Sequence, residues 1–171
     1  MDRAARAIEQ WNRERPDLDV SPMGVIGRLN EASSLIARDR LAPLFARFGL
    51  QSGEFDVLAT LRRSGVPYAL TPTELYEATM VTSGAMTARL DRLEKAGLIA
   101  RGPHPTDRRG IVVQLTAKGL ELVDEALTAH VANEHEILSV LTRAECDMLA
   151  QLLGKLIAGI SSGRPETPGS A

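Results

Sequence analysis

Seven cations and two hydroxyls stand close together in the middle of this chain. Ser83, Thr87, Arg89, Arg92 and Lys95 recur at spacings that a helix gathers on one broad side. Arg101, Arg108, Arg109 and Lys118 follow within two dozen residues. Arginine, lysine and hydroxyl side chains of this kind hydrogen-bond base edges and grip phosphate oxygens. Residues 83–118 hold seven Lys/Arg against three Asp/Glu, a net +4, in a chain whose overall charge is −2. A basic block inside an acidic chain is the electrostatic footprint of a partner for a polyanion. Ordinary solvated surfaces fluctuate in charge to a similar degree, so the elements that carry these residues must decide.

The helix opened by Thr82 or Ser83 keeps Met86, Leu90 and Leu93 for its own core and ends at Gly97, a C′ glycine. Just before it, Thr71-Pro72-Thr73-Glu74 joins an N-cap, a first-turn proline and a Glu at N3. That is a capping box, and it opens a helix of about two turns. After Gly97 the period changes. Residues 98–101 and 111–115 are short and β-rich, and Gly102–Gly110 between them reads as a long exposed loop with two prolines. Capped helix, turn, amphipathic helix and hairpin with a basic tip make a winged helix-turn-helix. One helix enters a major groove, and Arg108 and Arg109 reach a minor groove or phosphates.

The flanks are helical. Residues 2–12 carry Ala4, Ala7, Ile8 and Trp11 on one side. Ser21 as N-cap and Pro22 open a helix that Pro43 should bend, and Ser52 caps the next, with Phe55, Leu58 and Leu61. A long helix from Thr116 to about Leu141 follows, and a second capping box, Thr142–Glu145, opens the last. Terminal helices with more apolar surface than a small core needs point to a second copy of the chain.

Other classes are weakened by composition. At 171 residues, 44% apolar and 25% charged, this is one ordinary globular domain without a bilayer-spanning run or a signal-like N-terminus, expected in the cytoplasm. Six aromatics make a single-strand stacking platform unexpected. No phosphate loop, nucleophile elbow or acid–base pair marks an enzyme, and no cofactor is implied. Cys146, on an apolar helix, reads as a buried inert thiol rather than an oxidation sensor. His130 and Glu134 are i, i+4 but lack the further ligands a metal needs, and His104 reads as a phosphate-side or solvent residue.

Residues 23–160 resemble the MarR family of transcriptional regulators. The most specific stretches are Ser83–Leu98, the wing Asp107-Arg108-Arg109, and Leu115-Thr116-Ala117-Lys118-Gly119. The resemblance implies a mainly α fold with a small β-hairpin wing (α+β). It implies residues 1–20 as an added helix, 52–116 as the winged helix-turn-helix, and 21–48 and 117–160 as dimerisation helices; residues 161–171, rich in Gly, Pro and Ser, read from their composition as a disordered tail. It also implies a homodimer on a pseudo-palindromic double-stranded DNA operator, without membrane contact, Ser83, Gly84, Thr87, Arg89, Arg92, Lys95, Asp107, Arg108 and Arg109 facing the duplex. A helical dimerisation module that has lost DNA binding is the alternative, against which Arg92, Arg108 and Arg109 stand.

The added N-terminal helix resembles that of the urate-responsive, PecS-like subgroup. By that resemblance, Trp11, Asp56, Arg89 and Arg101 would hold a small anionic, urate-like or aromatic carboxylate effector. Two arginine forks suit a flat anion, and an indole face stacks beside it. The anion would compete with Asp56 for Arg89 or Arg101 and tilt the recognition helix. Asp56 and Arg89 equally fit a plain structural ion pair, and a regulator of the family without a urate-type ligand stays open.

Overall fold

The computed structural model of the chain describes residues 2–79, 83–104 and 110–162. In chain order they form α1 (Arg3–Glu14), α2 (Ser21–Leu35), a π-helical turn (Ile36–Leu41), α3 (Ala42–Ala46), α4 (Ser52–Arg63), β1 (Ala69–Leu70) and α5 (Pro72–Thr79). Then come α6 (Ser83–Lys95), β2 (Ile99–Pro103), β3 (Ile111–Leu115), α7 (Ala117–Leu138) and α8 (Arg143–Ser162). The fold is mainly helical with a small antiparallel sheet, as the sequence leads one to expect.

Both Thr–Glu capping boxes form. The Thr71 N–H donates to Glu74 Oε2 at 2.7 Å, and the Glu74 N–H donates back to Thr71 Oγ1 at 3.2 Å. Thr142 and Glu145 repeat the pattern at 2.7 and 3.3 Å. Gly97 takes φ +72°, which lets its N–H reach the Glu94 carbonyl at 2.8 Å while Leu98 N–H reaches Leu93 at 3.0 Å.

Four local expectations need correction. Ser21 is the first residue of α2 rather than its cap, and its N–H is taken by Asp19 Oδ1 at 3.0 Å. Ser52 likewise lies inside α4. The cap is Gln51, whose extended backbone forms a capping box with Glu54. Pro43 does not bend a continuous α-helix. It sits in the first turn of α3, and the preceding π-turn, in which Ala42 N–H reaches back to the Ala37 carbonyl, absorbs the change. Finally, the sheet has three strands in the order β1-β3-β2, and β2 extends through Pro103. Ala69 and Leu70 pair with Gln114 and Val113. Two residues cannot display a period of two, so no sequence pattern marks β1.

The chain divides into two compact units between Asn133 and Glu134, inside α7. The first holds the core. Phe45 and Phe55 stack with centroids 4.3 Å apart. Val57, Leu58, Leu61, Leu75, Leu93, Ile99, Val113 and Val123 are almost wholly buried around them. Each such side chain contributes about 1.5–3 kcal/mol of transfer free energy. α1 packs on α2 through Ala4 against Gly27 and Ile8 against Gly24, helped by an Arg28–Asp2 ion pair at 2.8 Å. Trp11 remains 46% exposed, and Met23, Val25, Ile26 and Leu29 of α2 are open as well. In the second unit no residue of α8 is buried, so its apolar stripe stands bare.

Candidate nucleic-acid interface

α5 and α6 are held by their inner faces. Leu75 of α5 is fully buried, as are Met86, Leu90 and Leu93 of α6 to within a few per cent. That fixes the rotation of α6, because buried positions at i, i+4 and i+7 define one stripe. Thr87, Ala88, Asp91 and Lys95 then point outward. Ser83 and Gly84 lie in the first turn of α6. The C-terminal end of α6 is fastened to the start of α7: Lys118 Nζ donates to the Ala96 carbonyl and Thr116 Oγ1 to that of Gly97, both at 2.8 Å.

Asp107, Arg108 and Arg109 lie outside the described residues. Their flanks are paired. β2 and β3 run antiparallel from Ile99–Leu115 to Pro103–Ile111, and His104 N–H reaches the Gly110 carbonyl at 2.9 Å.

The arginines of this region divide three ways. Arg92 is half-exposed, yet its Nε donates to Glu54 Oε1 at 2.6 Å and its Nη2 to Gln51 Oε1 at 3.5 Å. Arg89 turns toward α4 and lies over Gly53. Its Nη1 is buried with no acceptor among the described residues. Arg101, on β2, donates to Asp91 Oδ1 at 2.5 Å and lies 3.5 Å from Glu94 Oε2, which ties the hairpin to α6. Glu54 is the functional neighbour the sequence reading missed. A Glu three residues after a polar cap is a visible signal, but it marks a helix start and says nothing about a partner 38 residues away.

Asp56 opens on a cavity of about 570 Å3 bounded by α4, α5 and α7, with Arg63, Thr79, Asp124 and His130 among its walls. The His130 ring packs 5.0 Å from Phe55. Part of Asp56 is open to solvent, but the concave wall displaces enough water that burial pushes its carboxyl above the ordinary 3.8, and the charges of Arg89, His130 and Arg63 oppose that only in part. Of the four residues expected around an effector, Asp56 and Arg89 come within electrostatic reach of each other. Of the four, only Asp56 lines this cavity; Trp11, Arg89 and Arg101 are not among its walls.

The raised carboxyl has a consequence for stability. A folded-state value above the unfolded one means that ionisation disfavours the fold: full stability is present below the ordinary carboxyl range and is lost as pH rises through the folded value. Asp56→Asn is expected to raise the melting temperature slightly at pH about 7 and to leave it unchanged at pH about 2.5, where both states are almost wholly protonated. Thermal melts of the two proteins at both pH values check this. A lower melting temperature for the variant at neutral pH would show that the Arg89 attraction outweighs desolvation.

Comparison with known proteins bears on the same elements. The sequence model of the MarR family matches residues 48–110, which run from before α4 to the far side of the hairpin loop. The HTH-type transcriptional regulator PecS of Dickeya dadantii (strain 3937) is 46% identical over 149 residues, which is 87% of this chain and 89% of that protein. Among solved structures, a cysteine-to-serine mutant of MarR from E. coli complexed with operator DNA aligns with a TM-score of 0.68 at 28% identity, over 85% of this chain and 96% of that one. Sco3205 from Streptomyces coelicolor has a TM-score of 0.76 at 24% identity, over 90% of this chain and 95% of that one, and supports the likeness of fold.

Proposed function

The chain belongs to the MarR family of transcriptional regulators, and from that premise we propose that it works as a homodimeric repressor whose hold on a pseudo-palindromic operator is weakened by a small anionic ligand. The chain is a DNA-binding regulator and not an enzyme. In the proposed dimer, residues 52–116 are the winged helix-turn-helix, 21–48 and 117–160 supply the subunit interface, 1–20 are an added helix, and 161–171 are a tail. Half-site centres then lie about one DNA turn apart, roughly 10 bp. Ser83, Gly84, Thr87 and Lys95 of α6 meet the major groove, with Arg89 and Arg92 on its α4-facing flank. Asp107, Arg108 and Arg109, which lie between β2 and β3 in sequence, are the further duplex contacts of this reading. Such a regulator works beside the chromosome, in the cytoplasm. No helix among the described residues is long and apolar enough to cross a membrane.

The ligand part is carried by Arg89. It belongs to the recognition helix, yet it lies against α4 within the field of Asp56, with a buried donor that lacks an acceptor among the described residues. An anion that takes up Arg89 in place of Asp56 would act on α6 directly. Trp11 and Arg101 complete the proposed ligand set with Asp56 and Arg89. A second reading, a family member without a urate-type ligand, draws on Arg101, whose fork is already engaged by Asp91 and Glu94.

The experiment is fluorescence anisotropy with promoter DNA from upstream of the chain's own gene, with and without urate or aromatic carboxylates. Coupling between two sites is usually about 1–3 kcal/mol, so the ligand should weaken DNA binding by roughly 5–150-fold. Complete switching needs about 5.5 kcal/mol, so attenuation is expected rather than abolition. Arg109→Ala should weaken binding and flatten its dependence on salt by about one counterion per subunit. Unchanged affinity with every anion would leave the second reading standing, and unchanged affinity in Arg109→Ala would remove the wing from the interface.

A further inference from the structure

The first turn of α4 is where the recognition helix rests. Gly53 is its second residue. A methyl group added to the Gly53 Cα would overlap Cζ, Nε and Nη2 of Arg89, so the guanidinium lies across the bare backbone of α4. One helical turn further along α6, Arg92 is bound by Glu54, the next residue of α4, at 2.6 Å. The two contacts differ in kind. Glu54 is 6% exposed, and its carboxylate holds Arg92 by charge while capping Gln51. Gly53 holds Arg89 only by leaving room.

Glycine within a helix is less stable than alanine, because the unfolded chain loses more freedom on folding. The gain at this position is therefore steric. The Arg89 guanidinium fills the gap between α4 and α6, and its Nη1 is enclosed there without an acceptor among the described residues.

We propose that Gly53 is a positioning residue for DNA binding: its missing side chain admits the Arg89 guanidinium as a spacer between α4 and α6 and so sets the angle at which α6 meets the duplex. The inference rests on α6 being the recognition helix, but it needs no ligand. Arg89 acts here through the helix it spaces. Its distance from the outward residues Thr87 and Lys95 does not matter.

The test is a double-mutant cycle of Gly53→Ala, Arg89→Ala and the pair together, measured by anisotropy on the promoter fragment without effector and by thermal melting. The obstructed group is the end of a flexible side chain, so Gly53→Ala should melt within a few degrees of the parent. It should nonetheless bind DNA roughly 10-fold more weakly, inside the range expected for coupling between contacting elements. Arg89→Ala removes the obstruction, so the double variant should bind within about 3-fold of Arg89→Ala alone, because contacting residues do not contribute additively. If Gly53→Ala alone unfolds, the double variant still decides: recovered folding with the DNA affinity of Arg89→Ala supports the spacer, and a double variant that stays unfolded or binds as the parent does overturns it. Wild-type affinity in Gly53→Ala, or losses that multiply in the double variant, also overturn it. A parent protein that ignores every promoter fragment overturns the regulator reading itself.

Discussion

Glutamate in place of Leu152 is expected to split the proposed dimer into monomers and to cost about 100-fold or more in DNA affinity. α8 carries Met148, Leu149, Leu152, Leu156, Ile157 and Ile160 along one helical stripe, each between 37% and 65% exposed, and buries nothing within its own chain. A stripe of that length is unfavourable in water and calls for a second copy. Burying one leucine contributes about 1.5–3 kcal/mol. An unpaired carboxylate in the same contact costs several kcal/mol more, and twofold symmetry applies the penalty twice. DNA affinity follows because two linked recognition helices gain roughly 10²–10⁴ over one through effective concentration. Light scattering after size exclusion reads the oligomer, and anisotropy reads the affinity. A Leu152→Glu protein that stays dimeric moves the interface away from α8.

Alanine in place of Gly119 is expected to destabilise the fold by about 3 kcal/mol, at the upper end of what overpacking usually costs. Gly119, in the first turn of α7, is buried against the Leu98 carbonyl, and a Cβ there would overlap the backbone oxygen. Unlike the tip of an arginine, that carbonyl cannot swing aside. It already accepts hydrogen bonds from the Thr116 N–H at 3.1 Å and from Thr116 Oγ1 at 3.2 Å. The collision would part α7 from the junction of α6 and β2. At about 2–4 °C per kcal/mol for a chain of this size, the melting temperature should fall by roughly 6–12 °C. Calorimetry checks it, and a shift under about 2 °C would mean that α7 can slide.

Gly119 and Gly53 look alike in the sequence, since each stands in the first turn of a helix. Space alone separates them: one faces a fixed backbone oxygen, the other a movable side chain. The same distinction runs through the interface. The capping boxes at Thr71 and Thr142 and the end of α6 at Gly97 were legible because their partners lie three to five residues away. The helical stripes were legible because a repeat of three or four residues is itself the signal. β1 was not, being too short to have a period. The roles of the arginines were not legible either. Arg92 and Arg101 look like free cations in a basic block, but their carboxylates come from Glu54 and Asp91.

The sequence by itself determined a mainly helical chain with a capped helix pair, an amphipathic second helix of known register and a basic hairpin, because each of these rests on contacts within one or two turns. Tertiary structure decided which cations stay available to a polyanion and which are engaged, and it brought Asp56 into the field of Arg89. Those pairings depend on how far apart two helices pack and how each is rotated about its axis. Both quantities are set by the buried side chains between them, and no spacing along the chain records either.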